Sequence, residues 1–375
     1  MSGELSLLVY DTRTGRVVDE WEMASQPRWS RRLSAPASLS VDVHVPDLEH
    51  KDDMWALLDM WRFSLALVED RTALVAGPMI SADFRDREGA PVLAIECGDP
   101  WSILMRRLCM APTATNPREA ASNVQLGPNS LAGLAAELVE AALDRPAGDL
   151  PLIIPTGLPA GSHGRVYNAF DLAFFGERLT ELSQVSDGPE LDFHPLLQDE
   201  GATIRHEVRI GAPALFQAGE PHVYDYGTTL SSLDVDFDGS RNAHSWWVRG
   251  DGMSVELLYG YASSDTYTNA GWPRLESVDS SHTSTREQEL LDGYATANRD
   301  TYGDSIYTYG ATVRWDGTDP SGRQTGAPHI ANVRLGDHVM ASVQDHPLLP
   351  DVDLVFRVLG IQATGQSDPT LELLN

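Results

Sequence analysis

The chain has 375 residues, 42% apolar and 22% charged, and its 27 basic against 55 acidic side chains leave a net charge of −28. That length suggests two or three domains with ample core material, and 9 Trp, 9 Phe and 11 Tyr exclude a disordered chain, which lacks aromatics to bury. The acidic excess repels phosphate, and no basic patch is visible beyond Arg28, Arg31 and Arg32, so sequence reading of DNA is not expected.

No apolar run approaches the roughly 18 residues that cross a bilayer, and Met1-Ser-Gly-Glu-Leu5 lacks the basic region and apolar core of a secretion signal. Neither a membrane span nor classical secretion is expected. Lys51 is the only lysine beside 26 arginines, the codon usage of a GC-rich genome and actinobacterial in kind. Cys97 and Cys109 are too few for a disulfide framework and lack metal-ligand spacing, so both are expected reduced and partly buried.

In chain order, Leu5–Tyr10, the turn Asp11–Gly15 and Arg16–Met23 read as an antiparallel hairpin. Ser38–Val45 alternates Leu39, Val41, Val43 and Val45 with polar neighbours, a period of two that places one face on a core. Arg62–Val68, Ala73–Phe84 and Pro91–Cys97 continue the series, which suggests a small barrel or sandwich. Asp99 and Pro100 can start a short helix over Trp101–Leu108. After the Ala-, Asn-, Pro- and Thr-rich stretch 110–129, Ser130 can cap a helix burying Leu131, Leu134, Leu138 and Ala142. Leu152–Pro155 is a strand candidate and Gly157–Gly164 a loop. A second helix is expected from about Asn168 to Gln184, burying Leu172, Phe175, Leu179 and Leu182.

Strands resume from Tyr224, with Leu233–Asp238 and Ser245–Arg249 about a turn at Gly239. A polar excursion follows over Gly260–Thr285. Ser284-Thr-Arg-Glu287 spells a capping box for a helix with the apolar stripe Leu290, Leu291, Tyr294 and Ala295, ending near Asp300. Ile306–Val313, Val333–Leu335, His338–Val343, Leu354–Ile361 and Leu371–Leu374 read as five closing strands. The fold class is therefore α+β, mainly β.

The chemical motifs fail one by one. Asp234, Asp236, Asp238 and Gly239 match the opening of a calcium loop, but the position of its bidentate Glu holds Ser245, and Val235 and Phe237 read as the buried face of a strand. His206-Glu207 begins like a zinc helix whose second histidine is replaced by Ile210. Gly157, Gly161 and Gly164 lack phosphate-loop spacing, and no Gly-x-Ser-x-Gly elbow exists. His163, His194 and His244 have no nucleophile placed beside them by sequence. Arg249-Gly250-Asp251 reads as a turn. Trp246 and Trp247 point to opposite sheet faces, so at most one can serve a surface, as a sugar platform would require, and core plus interface is the expectation. No catalytic, cofactor-binding or metal residue is assigned, and the chain is expected not to be an enzyme.

Three stretches carry a family resemblance. Arg28-Trp-Ser-Arg-Arg-Leu-Ser-Ala-Pro-Ala-Ser-Leu-Ser-Val41 leads an arginine-tryptophan region into a small-residue turn and an alternating strand. Val92-Leu-Ala-Ile-Glu-Cys-Gly-Asp-Pro-Trp-Ser-Ile-Leu-Met-Arg-Arg107 joins a strand, an aspartate and a short helix. Ile330-Ala-Asn-Val-Arg-Leu-Gly-Asp-His-Val339 and Phe356-Arg-Val-Leu-Gly-Ile361 close the chain. Together with the element order, these resemble the baseplate hub family of phage tail tips, including the Gp37-like minor tail proteins of actinobacterial siphophages.

The resemblance covers nearly the whole chain and implies two tail-tube-like β-barrels with α+β insertions. By that analogy the first barrel is 1–109, an α+β domain is 110–223, the second barrel is split into 224–256 and 304–375, and 257–303 is an insertion packing with the α+β domain. It further implies a virion protein at the distal end of the tail, a homotrimer that closes the tube. Its implied partners are a distal tail protein ring, the tape measure protein and receptor-binding or other minor tail proteins. Genome DNA would pass through its lumen without specific binding. The last expected strand ends at the chain's end, so no added muralytic domain is expected. The alternatives are a carbohydrate-binding adhesion component of the tip, or a tail-associated cell-wall hydrolase.

Overall fold

The structure, a computed structural model, describes residues 3–45, 51–86, 91–185, 187–217, 219–283, 285–304 and 306–374. It divides into two compact units, one of Met1–Leu233 with Gly310–Leu374 and the other of Asp234–Tyr309.

In the larger unit, β1 (Leu5–Asp11) and β2 (Val17–Trp21) form the expected hairpin. Its turn requires Gly15, at φ +75°, where a Cβ would stand 2.1 Å from the Ile204 carbonyl oxygen. Then come β3 (Arg28–Arg32), β4 (Ser38–His44), the short helix α1 (Lys51–Ala56), β5 (Phe63–Glu69), β6 (Thr72–Arg85) and β7 (Val92–Cys97). The antiparallel order β4-β7-β6-β5-β1-β2 closes on itself. Beyond β2, the Ala24 N–H donates to the Asp42 carbonyl at 2.7 Å, and the His44 N–H donates to that of Glu22 at 3.0 Å.

This six-stranded barrel is filled from one face of each strand, as by Leu39, Val41 and Val43 of β4. All seven residues of β5 are buried, because its outer side is covered as well: Ala66 and Val68 pack with Ala73 and Ala76 of β6 and with Ile204 of the α+β layer. A strand buried on both faces reads as an unbroken apolar run.

Helix α2 (Pro100–Leu104) starts where its sequence directs, with the Asp99 carboxyl accepting from the Ser102 N–H at 3.3 Å, but it ends four residues before Leu108. The α+β layer follows as β8 (Val124–Asn129), α3 (Leu131–Leu143), β9 (Leu152–Ile153), β10 (His163–Tyr167), α4 (Phe175–Ser183), β11 (Leu191–Gln198) and β12 (Thr203–Ile210). Ser130 caps α3 by accepting from the Gly133 N–H at 3.0 Å. Leu134, Leu138 and Ala142 bury against Phe175, Leu179 and Leu182 in one core. The guanidinium of Arg107 donates to the Ala142 and Gly148 carbonyls at 3.0 and 2.6 Å, closing the far end of α3. The second helix begins at Phe175, not near Asn168. Leu172 stands at φ +52° after a 3-10 turn, which breaks the helix and leaves its side chain 52% exposed instead of buried.

The chain continues through β13 (His222–Asp225) and β14 (Leu230–Asp238) into the smaller unit. That unit holds β15 (Ser245–Arg249), β16 (Tyr259–Ser263), α5 (Thr266–Asn269), β17 (Glu276–Asp279) and α6 (Gln288–Tyr302). It returns as β18 (Ile306–Val313), β19 (His338–Val343), β20 (Val352–Thr364) and β21 (Thr370–Leu374). The row β13-β19-β20-β21-β18-β14 has its two end strands joined by the turn at 226–229. Strand β20 also pairs antiparallel with β3, from Gly360 opposite Arg32 to Thr364 opposite Arg28, so both halves share one 13-stranded sheet. Buried Glu69 ties the halves further, accepting from Trp315 Nε1 at 2.9 Å, Gln366 Nε2 at 3.0 Å and the Gly3 N–H at 3.1 Å. Val333–Leu335 is not a strand. It is a loop after a 3-10 turn, with Val333 and Leu335 pointing into the core.

The smaller unit is the sheet β16-β15-β17 with α6 on one face, and Val248, Ala262, Leu291 and Ala295 form its core. The segment read as a polar excursion thus contains two strands and a helical turn. Leu290 is exposed, so the stripe on α6 is narrower than its spacing suggested. Ser284 lies outside the described residues, and Glu287 makes no side-chain bond to the helix start.

Candidate functional site

Titratable groups gather at one place in the larger unit, where β3 meets β11 and β12. Alternation turns Arg31 inward from β3, and Asp192 and His194 share one face of β11. Arg31 Nη2 donates to both Asp192 oxygens at 2.8 and 3.0 Å and lies 2.9 Å from His194 Nδ1. Arg209 Nη1 donates to Asp192 Oδ2 at 3.0 Å and to the Leu335 carbonyl at 2.9 Å. His206 Nε2 lies 3.1 Å from the Ala76 carbonyl oxygen.

Burial alone would raise the Asp192 carboxyl, but Arg31, with His194 and Arg209 beside it, outweighs this and holds it below the usual range. Burial, then the charge of Arg31, lowers His194 to about 3, and burial lowers His206 to about 4. Burial raises Asp99 to about 7 despite the N–H bonds from Ala37 and Ser102.

Such shifts accompany many active sites, but this cluster has no room for a substrate. The hollow beside His206, walled by Tyr10, Thr12, Ser64 and Pro151, measures about 10 Å³, space for one water. Arg31, Asp192 and Arg209 therefore form a joint between β3, the α+β layer and the Leu335 loop.

The remaining motif residues are dispersed. Glu207 points away from His206 on its strand, 3.7 Å from Arg334. His163 is exposed on β10. Cys97 and Cys109 are free thiols, both buried instead of partly buried, and burial pushes Cys109 up to about 12. Asp234, Asp236 and Asp238 are spaced along the extended strand β14 and do not wrap a loop; Phe237 between them is 55% exposed, against the buried face expected of it. Among the described residues no three His, Cys, Asp or Glu side chains converge as a metal site. Arg28, Arg31 and Arg32 form no basic patch, since Arg31 is buried and Arg32 pairs with Glu372 at 2.8 Å.

In the smaller unit, Trp246 and Trp247 divide as strand geometry requires. Trp246 is buried under α6, its Nε1 donating to the Ala243 carbonyl at 3.0 Å. Trp247 faces outward, its ring 4.3 Å from Tyr261 and 5.4 Å from Tyr259. The strand register sets Trp247 between Tyr261 and Val278, Arg249 opposite Tyr259, and Ser245 between Ser263 and Glu276. Tyr259, Tyr261 and Val278 are 49%, 38% and 63% exposed. The result is an aromatic centre with a polar fringe.

Beside the same β17 edge lies a cleft of about 370 Å³, lined by Arg241, Ser277, Val278, Asp279, Ser280 and Asn298 among others. Asp279 accepts from Asn298 Nδ2 at 3.1 Å and from the Ser281 N–H and hydroxyl. These bonds outweigh the effect of burial and keep it ionised below the usual range. Neither Tyr259, Tyr261, Asp279 nor Asn298 was singled out in the sequence, although the spacing of Tyr259, Tyr261 and Ser263 carries the signal.

No protein-family model matches the chain, and no curated protein matches it in sequence. Its fold is that of phage tail proteins. Among solved structures it is similar to the 43 kDa tail protein of prophage MuSo2 from Shewanella oneidensis, with a TM-score of 0.58 and 11% identity over 99% of this chain and 98% of that one. It is also similar to the tail protein from Neisseria meningitidis MC58, with a TM-score of 0.54 and 14% identity over 98% and 95%. A chain of the lidded Francisella PdpA-VgrG complex gives 0.54 and 8%, and there the match spans 98% of this chain but 52% of that one. The mainly β, α+β fold class read from the sequence is borne out, and so is the tail-protein resemblance at the level of the fold.

Proposed function

We propose that the chain is a non-enzymatic structural hub at the tip of a siphophage tail. In this reading a homotrimer closes the tube, conducts the genome at ejection, and anchors the distal tail protein ring, the tape measure protein and host-recognition proteins. The observation that carries it is the similarity to two tail proteins along nearly the whole of each chain.

The sheet supports the reading. Each chain holds a closed barrel and a second row of strands joined through β3 and β20. Three chains then present six such units, which suits a six-fold tube. Three copies of −28 give −84, and carboxylates lining a lumen would repel DNA and keep it from adhering.

Immunogold microscopy of intact virions, with antibodies raised against the purified chain, tests the reading. Gold confined to the distal tail end is expected. Gold on the capsid or along the tube would overturn it. Arginine substitutions of acids mapped to the lumen should slow DNA release in an ejection assay.

A further inference from the structure

We propose that the outer face of the β16-β15-β17 sheet and the adjoining cleft form a binding site for a neutral oligosaccharide. This goes beyond the hub reading and does not depend on it. Three features argue for that ligand class.

The first is the platform. Trp247, Tyr259 and Tyr261 lie on one accessible face with tilts of 40–46° between rings. The electron-rich faces of such rings attract the slightly positive C–H bonds of a pyranose. The only aliphatic side chain in the register beside Trp247 is Val278. An aliphatic peptide or acyl chain would find little to match it, whereas flat amphipathic rings suit flat amphipathic sugars.

The second is the polar fringe. Arg249, the exposed Ser263 and the Arg274–Glu276 pair, 3.1 Å apart, border the rings at the level of the sheet, with Ser245 buried opposite Ser263. Hydrogen bonding with Ser263 and Ser245 lowers the Tyr261 phenol from its usual value. Hydroxyls, guanidinium and carboxylate together offer donors and acceptors for vicinal sugar hydroxyls.

The third is the cleft at the β17 edge, lined by Val278 of the platform face and by Ser277, Asp279 and Trp246 of the opposite face. Its volume is in the range of small-ligand sites, and apart from Trp246 and Val278 its lining is hydroxyl, amide, carboxylate and guanidinium, a mixture that suits a polar ligand with one apolar face. The groups are held in place. Asp279 is braced by Ser281, Asn298 and His282, and the Arg241 guanidinium lies over the Tyr302 ring at 3.9 Å. The ionised Asp279 and the chain's net charge disfavour a polyanion.

The test uses the purified full chain on an array of neutral oligosaccharides spanning glucose, galactose, mannose, rhamnose and N-acetylhexosamine linkages, with titration calorimetry on any hit. Binding of at least one neutral saccharide is expected. Trp247→Ala and Tyr261→Ala should each weaken it at least tenfold, and Arg241→Ala and Asn298→Ala should weaken it severalfold, all with an unchanged circular dichroism spectrum. Phe84→Ala, at an exposed ring of the larger unit, should leave it unchanged. An array with no neutral hit, binding that survives Trp247→Ala, or binding to single-stranded DNA alone would each overturn the proposal. Because the readout is binding in solution, its failure leaves the location of the chain in the virion a separate question.

Discussion

Replacing Asp192 with Asn tests whether the buried charge joint holds the larger unit together. The carboxylate accepts three hydrogen bonds of 2.8 to 3.0 Å from Arg31 and Arg209, with side-chain exposures of 4%, 6% and 11%. The amide keeps the shape but leaves two guanidinium groups facing no charge, and breaking a buried pair this way costs about 3–5 kcal/mol. At about 2 °C per kcal/mol for a unit of this size, the Tm should fall by roughly 6–10 °C. Glu372→Gln is the control, since its 2.8 Å pair with Arg32 is exposed and such pairs contribute below about 1 kcal/mol. Calorimetry of the full chain, following the transition of the larger unit, gives both shifts. If Asp192→Asn lowers Tm no more than Glu372→Gln does, the joint is not a stabilising element. Replacing Arg31, Asp192 and Arg209 together by Met, Leu and Met should recover much of the loss, because the cost lies in the stranded charges.

The same cluster sets a pH dependence. His194 and His206 have folded values of about 3 and 4, below the unfolded value near 6.5, so the unfolded chain binds more protons between them and stability rises with pH from about 4 to 6.5. Asp99, raised to about 7, acts oppositely over about 4 to 7, so Asp99→Asn should steepen the rise of Tm between pH 4.5 and 6; an unaltered slope would refute the assignment. Trp246→Ala should cost the smaller unit about 3–5 kcal/mol and Trp247→Ala under about 1, read by hydrogen exchange of α6 amides. Gly15→Ala should lower the stability of the larger unit by about 1–3 kcal/mol in urea unfolding, since the side chain meets both a left-handed backbone and the Ile204 carbonyl.

How far the fold was legible follows from where local chemistry decided the outcome. The Asp99 and Ser130 caps, the Leu134–Leu138–Ala142 stripe and the alternation of β4 are set within a few residues, and each appears as read. The start of α4 was not legible, because Leu172 takes a left-handed conformation that no local residue demands. Strands β16 and β17 were missed because one face of their sheet carries Tyr, Ser and Glu, leaving Gly260 and Ala262 of β16 as the inward signal. Arg31 and Asp192 are 161 positions apart, a separation across which sequence spacing carries no information. The aromatic centre was half legible: adjacency of Trp246 and Trp247 fixed that one would face out, but not that Tyr259 and Tyr261 would lie beside it.

The acidic excess can now be located. The buried carboxylates among the described residues are Glu69, Asp99, Asp192 and Asp337, so nearly all of the acids in those residues are at least partly exposed. Meanwhile Arg31 and Arg209 are drawn inward to serve Asp192, which subtracts two cations from a surface already short of them. The charge imbalance is therefore a property of the exterior and not a requirement of the core. If that exterior faces DNA in a channel, repulsion acts only across a Debye length of about 8 Å at physiological salt, so carboxylates deeper in the wall contribute little. The slowing of ejection by lumen-facing arginines should then fade as salt is raised toward 1 M, where the Debye length is about 3 Å. A slowing that persists at high salt would mean that the arginines obstruct the channel by bulk and that its acidity is incidental.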